Sequence, residues 1–149
     1  MSAGVAFPQI QPPPPILEPN PQSDEIIRQQ VWGVLVGVYP QGNIVEKRQD
    51  QRFPYPHLLY LTPVGPDGLA PIDESVTVVG KTLSERGLGF YYQSPIAHRR
   101  MIASLETSDH LWAGFLIDIT WCRFTRYGWY ESGGRFIQSV PSPIKRTVK

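Results

Sequence analysis

Cysteine is almost absent: Cys122 is the one thiol in 149 residues, which excludes an internal disulfide and a cysteine-based zinc site. Long apolar runs are missing too, and none approaches the roughly 20 residues that a membrane-crossing helix needs. Net charge is close to nil, +1 from 14 basic and 13 acidic side chains. No global field therefore steers the chain toward nucleic acid or an anionic membrane, and anion recognition has to come from local arginine placement. The three histidines, His57, His98 and His110, match no metal-ligand spacing. Nothing supplies Ser84 with a histidine and an acid at a recognisable spacing, and no other acid–base pair stands out. The opening stretch MSAGVAFPQIQPPPP has neither a basic start nor an apolar run of signal-peptide length. These absences together lead us to expect a cytoplasmic, non-enzymatic protein with no metal and no cofactor.

Proline, by contrast, is frequent, with 16 residues. Pro8, the run Pro12 to Pro15, Pro19 and Pro21 fall within residues 1–22. Such a segment cannot donate regular backbone hydrogen bonds and prefers polyproline II, so a disordered or semi-rigid tail is expected, with a ligand for a proline-recognising domain as the alternative. Residues 23–44 then read as an amphipathic helix and linker. Ser23 is placed to cap the helix, Asp24 and Glu25 suit its positive end, and Ile26, Ile27, Val31, Val34 and Leu35 recur at three-to-four spacing. Gly33, Gly37 and the valines of VWGVLVGVY leave a strand as the competing reading.

Beyond Gly42 the pattern becomes short apolar runs between turn signals. Strands are expected over His57–Thr62, Ser75–Leu83, Gly87–Tyr92, Arg100–Leu105, Trp112–Arg126 and Trp129–Val140, the last broken at Gly133-Gly134, with a hairpin turn at Tyr127-Gly128. Strands this short, without intervening helices, argue for an antiparallel barrel or sandwich over residues 45–140, followed by a small basic tail over 141–149.

Two segments carry candidate chemistry. Gly80-Lys81-Thr82 resembles the end of a nucleotide P-loop, but Ser75 stands where the first glycine belongs, and Gly87-Leu88-Gly89 interrupts the helix that must follow. A P-loop is therefore rejected. The other segment, Arg48-Gln49-Asp50-Gln51-Arg52, spaces two arginines four apart ahead of Phe53-Pro54-Tyr55-Pro56, which keeps the chain extended. Guanidinium groups pair bidentately with phosphate and with the O6/N7 edge of guanine, so the pair can serve as an anion clamp on an arm. Lys47 stands beside it.

An Arg-x-x-x-Arg before the first strand, followed by an (Asp or Asn)-x-Ser-x-x-Gly turn between the second and third, resembles the signature of PilZ domains. Here the pieces are Arg48 and Arg52, then Thr82-Leu83-Ser84-Glu85-Arg86-Gly87, continued by Leu88-Gly89-Phe90. WCRFTRYGWYESGGRF resembles the family's last long hairpin, and the likeness runs from Glu46 to Val140. The resemblance implies a six-stranded antiparallel barrel, mainly β, that binds the bacterial second messenger cyclic di-GMP. It implies Arg48 and Arg52 as the clamp, Ser84 as a polar contact to guanine, and Gly87 as the residue that permits the tight turn. Thr82 departs from the pattern. A carboxylate accepts two parallel hydrogen bonds from the Watson–Crick edge of guanine, which a hydroxyl cannot copy; Glu85 or Asp50 is the candidate replacement.

Two other readings stand beside this one. A degenerate member of the family could act by protein contact without nucleotide, through the Pro-rich tail or the apolar helix. Alternatively, Trp121, Phe124, Tyr127, Trp129 and Tyr130, interleaved with Arg123, Arg126 and Arg135, could stack single-stranded nucleic acid. The near-neutral charge weighs against the latter. The plainer expectation puts these aromatics in the core with the arginines outside, Cys122 as a small buried hydrophobe, and Trp121 as a possible stacking face at the barrel mouth.

Overall fold

The short apolar runs form strands and the segment after the prolines forms a helix in a computed structural model of the chain, which describes residues 21–39, 51–65 and 70–144. Helix α1 spans Pro21–Val38. Strands follow as β1 (Phe53–Pro54), β2 (Leu58–Pro63), β3 (Val76–Leu83), β4 (Gly87–Tyr92), β5 (Arg100–Glu106), β6 (Trp112–Phe124) and β7 (Tyr130–Val140). Antiparallel pairing runs β3-β2-β5-β6-β7-β4, and a further β3–β4 pairing closes the ring. The expected six-stranded antiparallel barrel therefore forms, with β1 outside it, Phe53 opposite Leu83 and Pro54 opposite Thr82.

The helix reading prevails over the strand reading because Ile27, Val31, Val34 and Leu35 fall on one face when wound at 3.6 residues per turn. All four are buried and join Leu59, Leu61, Phe90, Phe115 and Phe136 in one core. Helix α1 thus closes the barrel as part of its hydrophobic interior. It begins at Pro21, two residues ahead of the expected cap, so Ser23 lies in the first turn. Proline suits that position, because its missing N–H costs nothing in a turn that has no partner for it. Inside the barrel Phe115 and Phe136 stack at 4.5 Å. Burial pushes the phenol of Tyr55 well above the usual tyrosine range, with the charge of Glu106 acting in the same direction.

Two expectations about the last hairpin are overturned. The Gly133-Gly134 pair does not break its strand; β7 runs continuously, with Gly133 opposite Trp121 and Gly134 opposite Ile119. Nor are the aromatics of the hairpin in the core. Strand β5 begins opposite Asp118, so β6 has no β5 neighbour beyond that point, and Trp121, Phe124, Tyr127 and Trp129 are 43, 62, 80 and 36 % exposed. Cys122 is exposed with them. The turn falls where its residues predict: β6 ends at Phe124, β7 begins at Tyr130, and Gly128 has φ 84°, which glycine adopts without steric cost.

Three irregularities interrupt the ladders: an extra residue in β3 at Lys81, one in β6 at Thr120, and one in β7 at Ile137, opposite the Leu116–Ile117 step. Bulges of this kind bend a strand and re-aim its side chains. Those at Lys81 and Thr120 both border the same cleft. Among the described residues no helix is long and apolar enough to cross a membrane.

Candidate functional site

A cleft of about 260 Å³ lies over β3, β4, β6 and β7. Arg52, Thr82, Ser84 and Gly87 all line it. Arg52 comes from the residue before β1, Thr82 from the end of β3, and Ser84 and Gly87 from the turn into β4. The ladder explains their meeting: β1 lies on the last two residues of β3, which carries the chain before Phe53 alongside the turn. Arg48, with Lys47 and Asp50, lies outside the described residues.

The turn is held by Ser84. Its hydroxyl accepts the backbone N–H groups of Arg86 (3.2 Å) and Gly87 (3.3 Å) and lies 3.4 Å from the Gly87 carbonyl. The Ser84 N–H donates to that same carbonyl at 2.9 Å. One hydroxyl offers one donor and two acceptor sites, so in this conformation Ser84 is committed to the turn. Its contribution is to shape the wall of the cleft.

Gly87 serves a different purpose from the one its motif suggests. Positive φ among the described glycines is found at Gly128, so the turn does not call on Gly87 for that freedom. What it needs is bare backbone: a Cβ at Gly87 would lie 2.2 Å from the carbonyl oxygen of Gly134. The same economy operates across the cleft, where a Cβ at Gly133 would strike the indole of Trp121 at 2.2 Å. Trp121 therefore lies against a glycine, with part of its indole exposed in the lining.

The electrostatics come mainly from residues that motif matching passes over. Lys81, Arg86 and Arg135 join Arg52 in the lining, against the single carboxylate of Glu131. Arg86 was in view as an unspecified position of the turn motif, and Arg135 as one arginine of the hairpin. Glu131 carried no signal beyond its place opposite Tyr91 in β7. It is 5 % exposed, accepts a hydrogen bond from the Lys81 ammonium, and holds Arg123 at 3.0 and 3.3 Å. Arg123 in turn lies 5.7 Å from the Trp121 ring centre. Glu85, a candidate for the missing carboxylate, is already engaged elsewhere. It accepts from the Trp32 indole at 2.6 Å and from Arg28 at 3.3 Å, tying the turn to helix α1.

The Lys81 hydrogen bond holds the Glu131 carboxyl below its usual 4.5, and Arg123 adds to the shift against the opposing effect of burial. The same bond raises the Lys81 ammonium above its usual 10.5. A carboxyl depressed in the folded state contributes stability above its unfolded value and loses it as pH falls through the folded one. A raised ammonium contributes below its unfolded value and loses it as pH rises through the folded one. The stability difference between wild type and Glu131→Gln is therefore expected to be level through neutral pH and to shrink as the solution is taken below the ordinary carboxylate value. Urea midpoints of both proteins near neutrality and at about pH 3 test this. A difference unchanged at the acid end would show that the charge of Glu131 contributes nothing.

Compared with family models, with curated proteins and with solved structures, the chain matches none.

Proposed function

We propose that this cleft binds cyclic di-GMP and that the chain is a non-enzymatic sensor of that nucleotide. One observation carries the reading: Arg52 and the Thr82–Gly87 turn, 30 residues apart from Arg52 to Thr82, border one cationic cleft that also contains an exposed indole. A cyclic dinucleotide offers two phosphodiesters and two flat bases. Arg52, Arg86 and Arg135 suit the phosphates and the O6/N7 edge of guanine as planar forks, and Trp121 suits a base face.

Relay has a physical route. Trp32 packs edge-on to Phe53 at 5.6 Å, and the Tyr39 hydroxyl donates to the Pro54 carbonyl at 2.9 Å. Trp32 and Arg28 also hold Glu85 of the turn. Helix α1 thus grips both chain segments that carry the motifs, and a ligand that pulls Arg52 toward Ser84 loads the helix. The remainder of the arm, from Val45 to Asp50, lies outside the described residues.

Thr82 sets the affinity. Without the bidentate carboxylate, binding is weaker by roughly 1–3 kcal/mol, about ten- to hundredfold. Titration calorimetry with cyclic di-GMP is expected to show binding by wild type, loss with Arg52→Ala and Arg48→Ala, and tightening of about tenfold or more with Thr82→Asp. Absence of heat up to high micromolar nucleotide would sink the sensor reading. If wild type is silent and Thr82→Asp binds, the chain is an adaptor that has lost its nucleotide. That second reading is favoured by Thr82 and by the commitment of the Ser84 hydroxyl to its own turn. Its contact surface cannot be the apolar face of helix α1, which the barrel already covers.

A further inference from the structure

Beside the cleft, on the far side of Glu131, a second and wider groove of about 710 Å³ opens against the tip of the β6–β7 hairpin. Tyr91, Phe124, Tyr127 and Trp129 line it, with Arg123 and Arg126. Phe124 meets Tyr130 edge-on at 5.1 Å, which fixes the angle of its ring. Tyrosine, tryptophan and arginine at this density and exposure are the composition of binding hot spots, whereas isolated exposed apolar side chains need no explanation.

We propose that this groove docks the chain's own proline-rich segment, residues 8–19. Proline ligands bind grooves built from parallel or tilted aromatic faces, because the polyproline II helix is already ordered and its rings lie flat on aromatic ones. The same sequence supplies both halves: the run Pro12 to Pro15 followed by Ile16 and Leu17, and a groove with four aromatic walls. Charge agrees. Residues 1–22 contain one acid, Glu18, and no lysine or arginine, while the groove carries Arg123 and Arg126 against Glu131.

Reach agrees as well. Helix α1 begins at Pro21, and through Arg28 it touches the turn at the Glu85 end of β4. The hairpin tip stands at the other end of that strand, about 20 Å from that turn at ~3.4 Å per residue, and Pro21 is seven helical residues, about 10 Å, from Arg28, which puts the start of the helix within about 30 Å of the tip. Pro15 to Pro12 lie six to nine residues before the helix, about 19–28 Å in polyproline II. Single-stranded nucleic acid fits the groove less well, since Arg123 is already held by Glu131 and a strand of phosphates needs a cationic track.

The test uses the whole chain and no nucleotide, so its result stands apart from the fate of the cyclic di-GMP reading. Indole N–H signals of the four tryptophans are compared by nuclear magnetic resonance between wild type and a variant with Pro12, Pro13, Pro14 and Pro15 all changed to Ser. The Trp129 signal is expected to shift, while those of Trp32 and Trp112 stay in place. Tyr127→Ala, a change at the most exposed of these rings, is expected to move the amides of Ile16, Leu17 and Glu18 to the positions they take in a free peptide of residues 1–20. A Trp129 signal indifferent to the four serines overturns the proposal, as do tail amides that already coincide with the free peptide in wild type. A shift that disappears on dilution assigns the groove to the tail of a second copy and overturns docking within one chain. A Trp129 signal that answers only to an added thymidine oligonucleotide overturns it in favour of nucleic acid.

Discussion

Gly87→Ala is expected to destabilise the barrel by about 3 kcal/mol or more, at the upper end of what overpacking costs. The added Cβ would meet the Gly134 carbonyl oxygen at 2.2 Å and the Arg135 Cα at 3.2 Å. These are backbone atoms of the neighbouring strand, so no rotamer change relieves the contact. Strands β4 and β7 have to separate where Gly87 faces Arg135 and Leu88 faces Gly134, and interiors packed at crystal density transmit such a shift rather than absorb it. The bond from the Phe136 N–H to the Arg86 carbonyl, 2.8 Å, is the next to strain. Urea denaturation measures the loss, and Gly33→Ala serves as the contrast. There a Cβ meets nothing within 4 Å, and alanine in a helix is better than glycine by up to about 1 kcal/mol, so that variant is expected to hold or gain. Equal stability of Gly87→Ala and wild type would show that the two strands are not as closely apposed as described.

The same glycine shows what could be read from the sequence and what could not. Its importance was legible from the Ser-x-x-Gly spacing; the physical cause was not, because a turn that needs positive φ and a strand that needs a bare backbone select the same residue. The strands themselves were legible almost to the residue, since apolar alternation and Gly/Pro punctuation act locally. Strand β1 was harder to see. Phe53-Pro54 reads only as extended, and its pairing depends on a partner some 30 residues away, Leu83 for Phe53. The hairpin aromatics misled for a related reason. Alternation puts Trp121 and Phe124 on opposite faces of β6, yet whether either face is covered depends on where the neighbouring strand begins, and β5 begins opposite Asp118.

The candidate cleft was legible in its motif residues and largely hidden elsewhere. Arg52, Thr82, Ser84 and Gly87 could be named because each sits in a short spaced pattern. Glu131, Arg135 and Gly133 belong to the lining through cross-strand register, with Gly87 opposite Arg135, Gly89 opposite Gly133 and Tyr91 opposite Glu131. Register is a property of two strands together, and a one-residue slip would turn all three away. The bulges at Lys81 and Thr120 add to the difficulty. They change which way β3 and β6 present their side chains next to the cleft, and neither carries a local sequence signal.

Leu35→Ala is expected to cost about 2–5 kcal/mol, as large-to-small changes at fully buried sites do. It is also expected to lower the unfolding midpoint of the barrel and the helix together. Leu35 has no exposed surface, like Val31, and both pack in the same cluster as Leu59, Phe90 and Phe115. A cluster shared by helix and barrel implies that the two unfold in one cooperative transition. Far-ultraviolet circular dichroism follows helix α1, and the near-ultraviolet signal of the aromatics follows the packing; the two are expected to move by the same amount. If the helix signal is lost first and the aromatic transition stays where wild type has it, α1 is a separable appendage. The outcome bears on function because the helix holds Phe53 through Trp32 and Glu85 through Trp32 and Arg28. A helix that shares the core keeps Arg52 and the Ser84 turn in register ahead of the proposed nucleotide. An appended helix would leave that alignment to be achieved at binding, at the expense of affinity.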